Sequence, residues 1–445
     1  MRTALRFAMM MLVLAAMLLA PVTARAAGMQ IIRDDEIEDT LRTFARPIFE
    51  QAGLSPSTVR IIMIQDPTLN AFVAGGQNIF FHTGLLMQVK NPAELVGVIA
   101  HESGHIASGH LARSRIEADN LTAQAWLAQV LGFAVAIGAK SGEAAMAAAS
   151  ASQSIALRSM LRHSRIQEGA ADQSGVRFLQ DAGLPVEGFM TFMEQLASQE
   201  LLPESQQSEY VRTHPISQDR VDFLRNIIAT SPGHGQIPAG WDAKLARMQA
   251  KLEAYLLPDR ALMKRGNDTT GRYAQAIAWY RKGDIPKALT LADGIIADEP
   301  DNPYFYELKG EMLFENGKVT PALTAYAKAA ELAPKAGLIA AAYGHALLEA
   351  GKLDQAVSQL QRALQIEPKQ SMTHQFLAMA YGRQGKEGLS RLHLAERSLL
   401  QGKFKSARTE ANLALNALPK TGASRQRALD ILDAAAAGEE KMKNR

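Results

Sequence analysis

Gly283, Gly317 and Gly351 stand 34 residues apart, and Pro300, Pro334 and Pro368 keep the same interval, each 17 residues beyond its glycine. Ala288, Ala322 and Ala356 recur five positions after those glycines. Self-similarity at a fixed period of this length marks a unit that cannot bury its apolar face alone, so the chain has to stack neighbouring copies. A further unit, "GKFKSA" from Gly402 with Pro419, keeps the spacing of 17 but falls 51 residues after Gly351. Gly385 marks where that unit was due, which predicts an extra half-unit inserted there. Upstream, "LLPDRALMKRGNDTTG" is rich in turn-forming residues and reads as a linker over 256–272. The 445 residues therefore divide into a first domain, this linker and an array over 273–445.

The units resemble the tetratricopeptide repeat over roughly 273–434. That resemblance implies helix pairs in which small residues allow close approach and proline ends the second helix. The pairs stack into an α-solenoid whose curved groove binds extended peptide or a partner protein.

At the other end, residues 1–26 read as a secretory signal peptide. Arg2 and Arg6 precede the apolar run "FAMMMLVLAAMLLA", and Ala24 and Ala26 form a small-residue cleavage site. The run is short for a membrane span, so removal is expected rather than retention as an anchor. Removal takes Arg2, Arg6 and Arg25 from a formal charge of +3 and leaves a mature chain near neutrality. No global basic field then argues for a nucleic-acid partner. The absence of cysteine excludes disulfides, thiolate metal sites, a cysteine nucleophile and lipid attachment through an N-terminal cysteine. A periplasmic location is expected.

The chemistry concentrates in "VIAHESGHIASGH", residues 98–110. His101 and His105 are four apart with Glu102 after the first, which places two imidazoles on one helix face beside a carboxylate. Asn91 as cap, Pro92 at the first helical position and Glu94 at capping-box spacing support that helix. His110 points to roughly the opposite side and cannot share a metal with the pair. The H-x-x-G-x-x-H extension would need glycine at Ser108 and histidine at Leu111, so a third ligand has to come from elsewhere. Before the helix, "TVRIIMIQ" and "NAFVAGGQNIFFHTGLL" predict a small sheet with a hairpin at Gly75-Gly76. After it, the alanine-rich stretch of 113–160, with its apolar part at 121–138, reads as helices over the active site, a mobile lid or a membrane-dipping segment.

In "SRIQEGAADQSG", Glu168 and Asp172 are again four apart on one helical face. A hydrolytic zinc needs three protein ligands and an open position; Glu168 can be the third ligand, and Asp172 can accept a hydrogen bond from a ligand histidine. At this point "NAFVAGGQNIFFHTGLL", "ELVGVIAHESGHIASGH" and "SRIQEGAAD" resemble the zinc peptidase family that includes the CAAX prenyl proteases and HtpX. The resemblance implies a gluzincin-type α+β domain over 27–255, mainly helical with a small sheet. It implies one zinc per chain on His101, His105 and Glu168, with Glu102 as the catalytic carboxylate. It also implies that substrate lies as an added strand on a sheet edge, for which "QNIFFHTG" is the candidate; His82 within it otherwise reads as a strand-surface residue. In "RTHPISQDR" the family places a histidine and an arginine near the zinc. His214 then either stabilises an oxyanion or fills the fourth metal position and keeps the enzyme latent, and Arg220 clamps a substrate carbonyl. The plainer alternative is a helix-start turn at His214 and a surface salt bridge at Arg220. His163, His234, His345, His374 and His393 have no partner pattern and read as structural or exposed.

With the repeats and the signal peptide, the resemblance implies a periplasmic zinc endopeptidase in quality control or assembly of envelope proteins. The partners it implies are unfolded or misassembled envelope proteins and, through the repeats, the outer-membrane β-barrel assembly machinery. The alternative is a chaperone or adaptor whose repeats bind partners with little proteolysis. A membrane-embedded protease would need further spans, and none follows the signal.

Overall fold

In the computed structural model, residues 30–109, 165–200, 203, 207–230, 235–264 and 266–443 are described. The expected signal peptide, the 113–160 stretch, and His110, His163 and His234 lie outside them. Among the described residues no helix is long and apolar enough to cross a membrane.

Helix α1 (Asp35–Gln51) starts where the Asp34 side chain accepts the Ile37 amide at 2.9 Å, and three acidic residues in its first turn sit at the positive end of the helix dipole. Leu41, Phe44 and Ile48 on its apolar face are fully buried. That face covers a four-stranded sheet in the order β1–β2–β4–β3: β1 (Ile31–Ile32), β2 (Arg60–Ile64), β3 (Ala71–Ala74) and β4 (Asn78–His82). β2 and β4 run parallel, with Ile64 opposite His82, while the two outer pairs are antiparallel. The β3–β4 hairpin turns through Gly75 and Gly76 at φ 60° and 99°, values that only glycine adopts readily. One expectation fails here. "QNIFFHTG" cannot offer an edge, because β4 is paired on both sides; the free edge beside the site belongs to β3.

Short helix α2 (Thr83–Gln88) leads into α3 (Pro92–Ala107), which carries the paired histidines. Asn91 caps α3 through the Glu94 amide at 3.0 Å, and Glu94 reaches back to the Lys90 amide at 2.8 Å. Helix α4 spans 165–181, followed by α5 (Glu187–Glu200), α6 (Glu209–Thr213), α7 (Gln218–Thr230) and α8 (Trp241–Leu256). Trp241 stacks on Phe44 with ring centroids 4.5 Å apart.

The repeat region forms helix pairs: α10 (Thr269–Arg281) with α11 (Ile285–Asp298), α12 (Pro303–Glu315) with α13 (Val319–Leu332), and α14 (Gly337–Glu349) with α15 (Leu353–Ile366). Then come α16 (Ser371–Arg383) with α17 (Glu387–Leu400) and α18 (Phe404–Ala417) with α19 (Ala423–Lys443); α9 (Pro258–Lys264) precedes them all. Gly385 and Gly402 both make the turn that Gly351 makes inside its pair, at φ 72°, 69° and 72°, with the Lys386, Lys403 and Lys352 amides donating to the Tyr381, Ser398 and Leu347 carbonyls. Helix α17, between Gly385 and Gly402, is the inserted half-unit that the sequence spacing predicts.

The 256–272 stretch holds α9 and the start of α10, and α8 supplies Trp241, Leu245, Met248 and Leu252 to the first core and Ala254 to the second. The solenoid closes on the N-terminal end of α1. Asp35 accepts the Ile339 amide at 2.9 Å, Tyr273 donates to Glu36 at 2.7 Å, and Arg33 pairs with Glu367. Lys251, only 4% exposed, lies 2.7 Å from Asp34 and 3.1 Å from Glu36.

Candidate metal centre

Two helices cross at small residues to make the centre. A Cβ on Gly104 of α3 would lie 2.6 Å from the Ala171 carbonyl of α4, and one on Gly175 would lie 3.1 Å from the Ala100 and His101 backbone. The backbones therefore meet with no side chain between them. This close approach brings Glu168 and Asp172 against His101 and His105.

The geometry is that of a cation cage. His101 Nε2 lies 3.1 Å from His105 Nε2, and Glu168 oxygens lie 3.3 Å from His101 Nε2 and 3.4 Å from His105 Nε2. His214 Nδ1 lies 3.3 Å from His101 Nε2 and 3.1 Å from Glu168 Oε1. Ligand atoms from all four residues fall within 4.8 Å of one another. A tetrahedral zinc with bonds of about 2.0–2.1 Å holds neighbouring ligand atoms about 3.3–3.4 Å apart. Nitrogen lone pairs facing each other at such distances fit a shared cation. Glu102 beside them is fully buried, and both its oxygens lack a hydrogen-bond partner among the described residues. A buried carboxylate left this way costs several kcal/mol unless a cation or water meets it.

Asp172 Oδ1 lies 2.8 Å from His101 Nδ1, which fixes the tautomer and keeps the Nε2 lone pair on the cage. Burial pushes the His101 imidazole down, but Asp172 and Glu168 outweigh it and hold its pKa up at about 10. Against burial, His214, His101 and His105 keep Glu168 well below the usual carboxylate range. Arg220 and His101 likewise lower Asp172. Both carboxylates are thus held in the charged form against the imidazoles, a setting that favours positive charge among them.

Both expectations for Arg220 are corrected. It is 6% exposed, so it is no surface salt bridge. Its guanidinium is engaged at Asp172 at 2.5 and 2.9 Å, Glu168 at 3.1 Å and the Pro215 carbonyl at 2.6 Å, so it cannot clamp a substrate. His214 closes α6 rather than starting a helix, with its amide donating to the Tyr210 carbonyl at 2.7 Å. Its Nε2 lies 3.6 Å from Glu102. Sequence reading missed Tyr210, whose ring packs on His214 with centroids 4.7 Å apart; its position four residues before His214 was the available signal. His345 stacks on Phe376 at 3.9 Å, and His374 meets His393 at 2.9 Å, both inside the solenoid and away from the cage.

Comparison with known proteins matches residues 32–228 to Peptidase family M48. Residues 32–228 form a peptidase family M48 domain. Tetratricopeptide repeats match 273–337 and 339–370, so the M48 domain is followed by a solenoid as expected. The beta-barrel assembly-enhancing protease of Yersinia pestis is 25% identical over 67% of this chain and 62% of its own length. The Escherichia coli K12 protein of the same name is 22% identical over 68% of this chain and 63% of its own. The chain thus spans about three fifths of the length of these curated relatives. A solved structure, MamA MSR-1 C2, is 22% identical with a TM-score of 0.31, covering 36% of this chain and 95% of that one.

Proposed function

We propose that the chain is a periplasmic zinc metalloendopeptidase acting in quality control or assembly of envelope proteins. The observation that carries this reading is the convergence of His101, His105 and Glu168 beside a buried Glu102 whose oxygens have no hydrogen-bond partner. These three residues would hold one zinc per chain. When bound, zinc would supply Lewis acidity toward a scissile carbonyl and toward water. Glu102, buried beside these residues, would accept a proton from the attacking water and deliver it to the leaving amine. Asp172 and Arg220 keep His101 and Glu168 aimed.

The position of His214 Nδ1, at 3.1 Å from Glu168 and 3.3 Å from His101, favours a fourth ligand over an oxyanion donor. Held there, His214 would keep water and substrate away from the cage until it moved. Substrate would extend the sheet at β3, the outer strand of the sheet and a neighbour of α3. The names of the relatives support substrates among outer-membrane barrel proteins, and the repeats would dock these or the barrel assembly machinery. The latch at His214 also keeps a second reading open, a chaperone or adaptor that binds clients and seldom cuts them.

Zinc content and cleavage of an unfolded protein are measured for wild type, Glu102→Gln and His214→Ala. Zinc in all three is expected, with cutting weak in wild type, absent in Glu102→Gln and raised in His214→Ala. Zinc in all three with cutting by none would overturn the peptidase in favour of the binding protein.

A further inference from the structure

We infer that Asp66, His82 and Glu209 form a second zinc site, separate from the His101 cage, which ties the helix ahead of His214 to the sheet. His82 ends β4 and is 5% exposed, yet its Nδ1 is aimed at polar company: 2.8 Å from Thr68 Oγ1, 3.6 Å from Asp66 Oδ1 and 3.8 Å from Glu209 Oε2. Thr68 Oγ1 lies 2.6 Å from Asp66 Oδ1 and 3.1 Å from Glu209 Oε2. The ligand atoms of Asp66, His82 and Glu209 fall within 4.8 Å of one another.

A threonine hydroxyl has one proton, so it cannot satisfy both carboxylates. Among the described residues neither Asp66 nor Glu209 pairs with a lysine or arginine; the imidazole of His82 is the one ionisable base each meets there, beside Thr68. Two carboxylates and one imidazole therefore converge with no fixed cation between them. The mixture selects the ion class. An imidazole nitrogen with two carboxylate oxygens suits zinc, whereas calcium and magnesium prefer oxygen alone. The separations of 2.6–3.8 Å bracket the roughly 3.3–3.4 Å edge of a zinc tetrahedron, with Thr68 or a water at the fourth corner. Asp66 and Glu209 are each 36% exposed at the side chain, so the ion has an entry path and the carboxylates have room to close by tenths of an ångström.

The consequence reaches the other centre. Glu209 opens α6 and His214 closes it, while α6 is otherwise held to the β2–β3 loop by the Tyr210 amide on the Leu69 carbonyl at 3.1 Å and by Thr213 on Asn70 at 3.4 Å. An ion on Glu209 fastens the helix that presents His214. That consequence rests on the His214 latch proposed above; the ion site itself does not.

The full mature chain, stripped with a chelator, is titrated with zinc, and bound metal per chain is counted by mass spectrometry. Two ions are expected for wild type, one for His82→Gln, one for His105→Ala and none for the double variant. Glu209→Gln, a near-isosteric change at a half-exposed side chain with far-UV circular dichroism as its fold control, is expected to weaken the second ion at least tenfold. Zinc is further expected to slow amide exchange over 209–214 in wild type but not in Glu209→Gln. Saturation of wild type at one ion that His105→Ala abolishes and His82→Gln keeps, or two ions retained by both His82→Gln and Glu209→Gln, would overturn the site. Because His105→Ala removes only the cage ion, failure of the peptidase reading and failure of this site give different counts.

Discussion

Replacing Gly104 by alanine sets two magnitudes against each other. In a free helix the change gains roughly 0.5–1 kcal/mol, since glycine is the poorer helix former. Here the added Cβ would stand 2.6 Å from the Ala171 carbonyl oxygen and 3.0 Å from its Cα, both backbone atoms of α4. Restoring the 3.4 Å of ordinary contact requires α3 and α4 to part by roughly 0.8 Å. Overpacking of this kind costs about 1–3 kcal/mol, so the net expectation is a loss of about 1–2 kcal/mol. The metal feels the same movement more sharply. Glu168 lies one turn before Ala171, and metal–ligand distances tolerate only about 0.2 Å, so zinc affinity is expected to fall more than tenfold. Urea unfolding of the metal-free chain and zinc competition against a chelating dye measure the two effects separately. A Gly104→Ala chain as stable as wild type, binding zinc equally well, would refute the helix crossing as the device that assembles the centre.

Arg220→Gln removes the guanidinium from both Asp172 and Glu168, and zinc affinity is expected to drop about 10–100-fold in the same competition assay; a substrate clamp would instead raise KM and leave zinc untouched. Lys251→Met leaves the buried Glu36 and the partly buried Asp34 without their cation, and thermal unfolding should report a loss of about 3–5 kcal/mol. Burial raises Asp35 to about 7, and the Ile339 amide only partly offsets it. The folded state therefore keeps this proton where the unfolded chain has lost it, and stability from Asp35 falls as pH rises from about 4 through about 7. Asp35→Asn is expected to flatten that slope and, at pH 8, to stabilise the chain by on the order of 1 kcal/mol, read from melting curves across pH.

Some of this was legible because it is local. His101, Glu102 and His105 share one helix face by spacing alone, Glu168 and Asp172 share another, and the 34-residue period announces a solenoid wherever it occurs. Local signals also misled. "QNIFFHTG" looks like an edge because a strand of five residues carries no mark of how many neighbours it will have.

The sequence by itself determined the classes of element and the chemistry that each one carries: two helices with ligand spacing, a hairpin at Gly75-Gly76 and a row of helix pairs. Only the tertiary structure decided which of these meet. That β3 and not β4 is the free edge, that Arg220 is buried against Asp172, that His214 points Nδ1 at the cage, that Glu209 joins Asp66 and His82, and that the solenoid closes on α1 are all contacts across long stretches of chain. Their physical origin is packing. Such contacts form where helices approach at Gly104 and Gly175 and where buried charges find partners, and neither condition is written in the spacing of neighbouring residues.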